Sequence, residues 1–117
     1  MFKRQTSKDT GDKAEKLALA HLQQHGLTLI AQNYHCKFGE VDLIVEDKNT
    51  LVFVEVRFRK SDRFGSALES VTKTKQEKIV TTARHYLAKH TLGESRPIRF
   101  DVIGITAHNI EWIKHAF

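Results

Sequence analysis

Apolar and polar positions recur with two different periods along the chain. Over residues 12–25 the apolar positions lie three and four residues apart, which predicts an amphipathic helix. Its stripe consists of Ala14, Leu17, Ala18, His21 and Leu22. Gly26 follows where a glycine commonly ends a helix, so the spacing predicts a helix that packs one face against a core.

Strand-like runs at 27–34, 39–46 and 51–58 come next. The segment Asp47-Lys48-Asn49-Thr50 has the composition of a turn, so the second and third runs are expected to form an antiparallel hairpin. A second helix is predicted over 67–90, followed by strands over 98–106 and 110–114. This order predicts an α/β sandwich with a mixed sheet. Residues 1–10 are polar and without periodicity, so we expect a flexible basic arm before a single domain over 11–117.

Composition supports a small globular protein. The chain has 117 residues, of which 40% are hydrophobic and 28% charged, as in single folded domains. One cysteine allows no internal disulfide, which suits a reducing cytoplasm. The N-terminus resembles no signal peptide, and no apolar run reaches the length of a membrane span, so no membrane partner is expected.

The charge suggests a partner. Nineteen Lys and Arg against fourteen Asp and Glu give a net charge of +5, and a basic domain favours a polyanion, usually nucleic acid. Net charge alone leaves a soluble protein that is merely basic as an equal alternative.

A glutamate interrupts the most apolar strand. In the run at 51–58 apolar residues occupy both faces, which is typical of a central strand covered on both sides. Glu55 lies in its middle, and a buried unpaired carboxylate costs several kcal/mol, as a rough figure. Such a group requires a cation, a metal ion or a firm hydrogen-bond network.

The preceding strand repeats this anomaly. Asp42 is expected to share a face with Glu40 and Ile44, opposite Val41, Leu43 and Val45. The hairpin would place Asp42 nearly opposite Glu55, where two carboxylates repel. A divalent cation reverses that repulsion, because hard oxygen ligands suit Mg²⁺. The alternative is an ordinary ion pair of Glu55 with Arg57 or Lys75.

Several further positions have chemical potential. Lys75 lies on the apolar stripe of the second helix, where its stem can be buried and its ammonium aimed at the sheet. Glu15 borders the stripe of the first helix and matters only if that helix covers the carboxylates. Asp101, in another apolar strand, is interpreted as structural, paired with Arg99 or a helix end.

The loop at 57–64 is rich in cations and aromatic rings. Its four cations would meet phosphates, and Phe58 and Phe64 could stack on unpaired bases. The alternative is a solvated charged loop with Phe58 in the core. The predicted nucleic-acid contacts are Arg57, Arg59, Lys60, Arg63, Lys73, Lys75 and Gln76.

Longer motifs indicate a family. The segments LTLIAQNY, GEVDLI, LVFVEVRFR, FGSALESV, RFDVI and the terminal AF resemble the YraN-like uncharacterised protein family over about Gly11 to Phe117. That family is similar to restriction-endonuclease-like PD-(D/E)XK nucleases, particularly archaeal Holliday junction resolvases. The resemblance implies an αβββαβ core around a mixed sheet. It also implies a homodimer, since junction resolvases work as dimers.

The resemblance also implies roles for single residues. Asp42 would be the aspartate of the motif and Glu55 its acidic metal ligand, with the Val56 carbonyl also available to Mg²⁺ or Mn²⁺. Glu15 would match the acid on the first helix, and Lys75 the basic position on the second. One position departs from the motif: Arg57 stands where a lysine is expected, and an arginine cannot lose its proton to activate water.

Three functions follow from these patterns. The first is a Mg²⁺-dependent endonuclease that hydrolyses branched or single-stranded DNA in repair or recombination, with Asp42, Glu55, Arg57 and Lys75 as catalytic residues. The second is a nucleic-acid-binding protein that keeps the nuclease fold without turnover, which Arg57 favours. The third is a module that uses its basic face for a protein partner.

Overall fold

A computed structural model describes residues 7–61, 63, 65–91 and 95–117, with side chains described from Thr10 onward. The elements are the helices α1 and α2, the strands β1 to β5, and a short 3₁₀ turn before α2. Their bounds are α1 Ser7–Gln24, β1 Thr28–Cys36, β2 Gly39–Asp47, β3 Thr50–Phe58, the 3₁₀ turn Leu68–Ser70, α2 Lys73–His90, β4 Ile98–Ile105 and β5 Ile110–Ile113. The predicted order of helix, three strands, helix and two strands is confirmed.

Both helices begin elsewhere than predicted. Helix α1 starts at Ser7 and so includes residues 7–10 of the expected arm, while residues 1–6 lie outside the described part. Helix α2 starts at Lys73 rather than at 67, because Val71 is extended and Thr72 caps the helix by accepting a hydrogen bond from the Lys75 N–H at 3.1 Å. Apolar residues continue at helical spacing through this break, so periodicity alone does not reveal it.

The five strands form one mixed sheet in the order β1-β2-β3-β4-β5. Strands β3 and β4 are parallel, joined through α2, and every other neighbouring pair is antiparallel. The sheet confirms the α/β class with a mixed sheet and the hairpin of β2 and β3.

The helices cover opposite faces of the sheet. Ala14, Ala18 and Leu22 of α1 pack with Val52 and Val54 of β3. On the other face, α2 contributes Ile79, Ala83 and Tyr86, which pack around Phe53 and Val102. Strand β3 is therefore the buried centre of the domain, as predicted.

One position of the predicted α1 stripe is exposed. Leu17 is 52% exposed, because the helix contacts the sheet through the narrower row of Ala14, Ala18 and Leu22. Neither helix of the described residues has the length and apolarity that crossing a membrane requires.

A fully buried carboxylate joins β4 to the end of the chain. Asp101 accepts hydrogen bonds from Arg99 Nε at 2.9 Å and Arg99 Nη2 at 3.0 Å. It also accepts from Trp112 Nε1 at 2.9 Å and the His115 N–H at 3.2 Å. Arg99 Nη1 reaches Asp47 in the β2–β3 turn at 3.0 Å. The structural interpretation of Asp101, with Arg99 as its partner, is confirmed.

Asp101→Asn should destabilise the fold strongly, because it leaves the buried guanidinium of Arg99 without its main counter-charge. The expected loss is about 3 kcal/mol in the free energy of unfolding. Urea unfolding followed by the fluorescence of Trp112, the single tryptophan, measures it. The control is Asp12→Asn on the exposed side of α1, for which a change within about 0.5 kcal/mol is expected. Equal losses in the two variants would contradict this role of Asp101.

Candidate functional site

The ladder between β2 and β3 ends at two carboxyl groups. Its register runs from Asp47 opposite Thr50 to Leu43 opposite Val54, so Asp42 and Glu55 stand one step beyond. There the Asp42 side chain replaces a backbone carbonyl as hydrogen-bond acceptor: its Oδ2 accepts the Val56 N–H at 2.8 Å. The two carboxyl groups lie close enough for the charge of Asp42 and a hydrogen bond with it to raise the pKa of Glu55. The structure thus brings together the two acids that were predicted to face each other.

Strand β2 changes its course at the same point. Alternation predicted Val41 on the face of Leu43 and Val45, but Val41 packs under α2 with Ile44. That prediction is wrong: at Val41 strand β2 is still paired with β1 but its ladder with β3 has ended, and side chains alternate strictly only along a regular ladder. The end of the ladder leaves room for Asp42 to turn towards β3.

Burial keeps a proton on Glu55. The side chain is 4% exposed, and its pKa is raised from 4.5 to about 8, chiefly by desolvation. The charge of Asp42 and a hydrogen bond with it also act to raise this pKa, whereas the charges of Lys75 and Arg57 act to lower it. At neutral pH the pair therefore holds a proton that a bound metal ion would displace.

Two cations stand at the outer limit of ion-pair distance from Glu55. Lys75 Nζ lies 3.8 Å and Arg57 Nη1 4.0 Å from Glu55 Oε2. Arg57 is also held by Ser70, whose Oγ accepts from Arg57 Nε at 3.2 Å. Both partners named in the ion-pair alternative are thus present, but both are about one-third exposed, so water screens their charges.

Helix α1 brings a third acid towards this pair. Burial raises the pKa of Glu15, the charge of Asp42 raises it further, and a side-chain hydrogen bond with Asn33 lowers it. The condition set for Glu15, that its helix lies over the two carboxylates, is met only in part, because Asp42 acts on the pKa of Glu15 and Glu55 does not. Sequence reasoning missed Asn33, whose left-handed φ of 50° within a strand is tolerated best by asparagine and glycine.

The donor set fits a magnesium ion that retains water. In the described part of the chain, no three His, Cys, Asp or Glu side chains lie close enough to hold one metal ion. Mg²⁺ usually keeps several waters and binds through only one or two carboxylates and the phosphates of its substrate. Asp42 and Glu55 offer two such carboxylates, and the roles of Asp42, Glu55, Glu15 and the Val56 carbonyl as ligands stay predictions.

The predicted nucleic-acid contacts differ in how far they are exposed to solvent. Arg59 is largely buried: its Nη1 donates to the Gly65 carbonyl at 2.8 Å, and its Nη2 lies 3.6 Å from Glu111 Oε1. Gln76 is half-buried and donates from Nε2 to the Val71 carbonyl at 3.1 Å. Lys60, Arg63 and Lys73 are exposed. The loop therefore presents fewer accessible cations near the carboxylates than its sequence suggests.

The aromatic residues of that loop are also divided. Phe58 is 47% exposed and lines a hollow beside Ala14 and Leu17 of α1, so the alternative that buries it in the core is wrong. Asp62 and Phe64 lie outside the described residues.

Fold and site together define an α/β protein with a mixed five-stranded sheet and a carboxyl pair at the end of one ladder. The chain belongs to the Uncharacterised protein family UPF0102, whose sequence profile matches residues 14–105. A UPF0102 protein of Saccharophagus degradans is 58% identical over 109 residues, covering 93% of this chain and 92% of the relative. One of Nitrosococcus oceani is 48% identical over 116 residues, covering 96% and 94%. The family membership predicted from the motifs is confirmed.

The raised pKa of Glu55 predicts a pH-dependent stability. Between pH 4.5 and about 8 the folded chain keeps a proton on Glu55 that the unfolded chain releases. The free energy of unfolding should therefore fall as pH rises, by up to about 1.4 kcal/mol per pH unit from this group. Glu55→Gln removes this titrating group. The free energy of unfolding of the variant relative to the wild type should therefore increase between pH 4.5 and about 8.

Urea unfolding of both proteins at several pH values within that window measures the difference. Glu77→Gln, on the exposed side of α2, is the control and should follow the wild type. Parallel pH profiles for the wild type and Glu55→Gln would contradict the assignment.

Proposed function

We propose that this protein is a metal-dependent, endonuclease-like hydrolase of phosphodiester bonds in DNA, branched or single-stranded, acting in repair or recombination. The observation that carries the proposal is the contact between Asp42 and Glu55 where the β2–β3 ladder ends. Two carboxylates held together in a largely buried position form a place for a hard divalent cation.

The arrangement of elements supports a restriction-endonuclease-like fold. One helix, three antiparallel strands, a second helix and a parallel strand follow in the order that such a core requires. The acids lie on the second and third strands, which is where the motif of that fold has them. Each helix brings a further motif residue to the pair, Glu15 from α1 and Lys75 from α2.

Each residue has a separate task in the proposed reaction. Asp42 and Glu55 hold Mg²⁺ or Mn²⁺, with Glu15 and the Val56 carbonyl as further candidates. When bound, the ion lowers the pKa of a water ligand and neutralises charge on the scissile phosphate. Lys75 and Arg57, both near Glu55, orient the phosphate by charge-assisted hydrogen bonds.

A nucleic-acid-binding protein without turnover is the second candidate function. Arg57 favours it, because a guanidinium remains protonated and cannot take a proton from the attacking water. Its bond to Ser70 also holds Arg57 in one orientation. On this proposal, affinity would fall steeply with salt and would not depend on Mg²⁺.

The net charge of +5 supports DNA as the partner in either case. A homodimer, as in junction resolvases, and a cytoplasmic location are proposed with it.

Asp42→Asn should abolish metal binding, because it removes one of the two carboxylates that hold the ion. Calorimetric titration with Mg²⁺ and Mn²⁺ measures this, alongside cleavage of branched and single-stranded DNA. Glu77→Gln, on an exposed face of α2, is the control and should keep both properties. A wild type that binds no metal and cleaves nothing, yet binds DNA in a salt-sensitive way, would favour the second function instead.

Arg57→Lys restores the amine that the motif expects and should raise the rate of cleavage by about tenfold or more, as general-base contributions do. Single-turnover cleavage of the same substrates measures it. Lys75→Ala tests whether Lys75 already supplies an amine, with Lys89→Ala in the exposed last turn of the same helix as control. An unchanged rate in Lys75→Ala would exclude Lys75 as the source of the amine. An unchanged rate in Arg57→Lys would show that Arg57 does not limit the rate of cleavage.

A further inference from the structure

An open groove extends from Lys75 of α2 to the β1–β2 turn. Its volume is about 660 Å³, and it lies between that turn and α2; the lining residues include His35, Lys37, Phe38, Glu40, Lys75 and Lys78. Among these lining residues, three lysines face a single acid, so the groove attracts anions. Lys75 belongs both to the groove and to the surroundings of Glu55.

An aromatic ring stands at the far end of this groove. Phe38 is 44% exposed, although burying such a side chain is normally favourable. Its ring separates the groove from a second hollow lined by Thr74, Glu77 and Lys78. Lys37 Nζ lies 5.1 Å from the ring centroid. Phe38 therefore presents a partly exposed ring with a cation over one of its faces.

The β1–β2 turn is held in place against α2. Gly39 has a φ of +151°, and a Cβ on it would lie 3.2 Å from Thr82 Oγ1 of the helix. The ring of Phe38 packs edge-on to His85 of the same helix, with centroids 6.3 Å apart. These contacts keep the ring in a fixed position, which lowers the entropic cost of binding.

We propose that this groove binds an unpaired stretch of single-stranded nucleic acid. A base stacks on Phe38, and Lys37 and Lys78 contact the flanking phosphates. An alternation of cations with an exposed aromatic ring matches the alternation of phosphates and bases in a single strand. The groove then leads the strand past Lys75 to the carboxyl pair. The inference rests on the proposed function and specifies its substrate as a strand with unpaired nucleotides.

Fluorescence anisotropy tests the groove, using a labelled single-stranded DNA of about 12 nucleotides and a blunt duplex of the same sequence, without divalent metal. Phe38→Ala should weaken single-strand binding about tenfold, and Phe38→Tyr should remain within roughly twofold of the wild type. Duplex binding should be unchanged in both. Lys78→Ala should reduce the salt dependence of single-strand binding by about one phosphate contact.

Two controls separate the groove from the rest of the protein. Ile30→Ala removes a comparably exposed apolar side chain, 42% exposed, at the other end of β1 and should not change binding. Lys89→Ala removes an exposed lysine of α2 that does not line the groove and should bind the single strand as the wild type does.

The outcomes distinguish the groove from the proposed function. If Phe38→Ala and Lys78→Ala bind the single strand as the wild type does, the proposed role of the groove is overturned and the nuclease proposal stands. Binding through Phe38 without metal binding or cleavage would support the groove and overturn hydrolysis. No binding of either DNA at low salt would overturn both the groove and DNA as the partner. Binding of an acidic peptide in place of DNA would overturn them too.

Discussion

A buried carboxyl pair sets the requirements that the surrounding structure meets. Removing Glu55 from water costs several kcal/mol if it is charged, as a rough figure, and Asp42 beside it adds repulsion. The fold offsets this with a proton on Glu55, the Val56 N–H on Asp42, and the positive charges of Lys75 and Arg57. No apolar core needs such an arrangement, and its presence in the central strand is the basis of the metal site that we propose.

The contrast with Asp101 shows how a structural carboxylate differs. Asp101 is also fully buried, yet it has four hydrogen bonds of 2.9 to 3.2 Å, two of them from Arg99. The cations at Glu55 remain 3.8 and 4.0 Å away. A carboxylate with all its lone pairs used has no capacity for a metal ion. The Asp42–Glu55 pair retains that capacity, which is why we assign function to it and stability to Asp101.

Helix α2 connects the proposed reaction site with the proposed binding groove. Its first turn begins late because Thr72 caps it, and this puts Lys75 between the carboxyl pair and the groove. Further along the helix, Thr82 and His85 support the turn that carries Phe38. One rigid element thereby relates the place where a strand would bind to the place where it would be cut.

The sequence by itself determined the strands within two residues of their bounds, the β2–β3 hairpin, the burial of β3 and the meeting of Asp42 with Glu55. These features depend on local periodicity and on the short turn between the strands. The tertiary structure alone decided which face receives Val41, that Glu15 lies near Asp42, that Glu111 engages Arg59, and that Phe38 lies beside α2. Each of those depends on contacts between segments distant along the chain, and neither side-chain spacing nor propensity encodes how such segments pack.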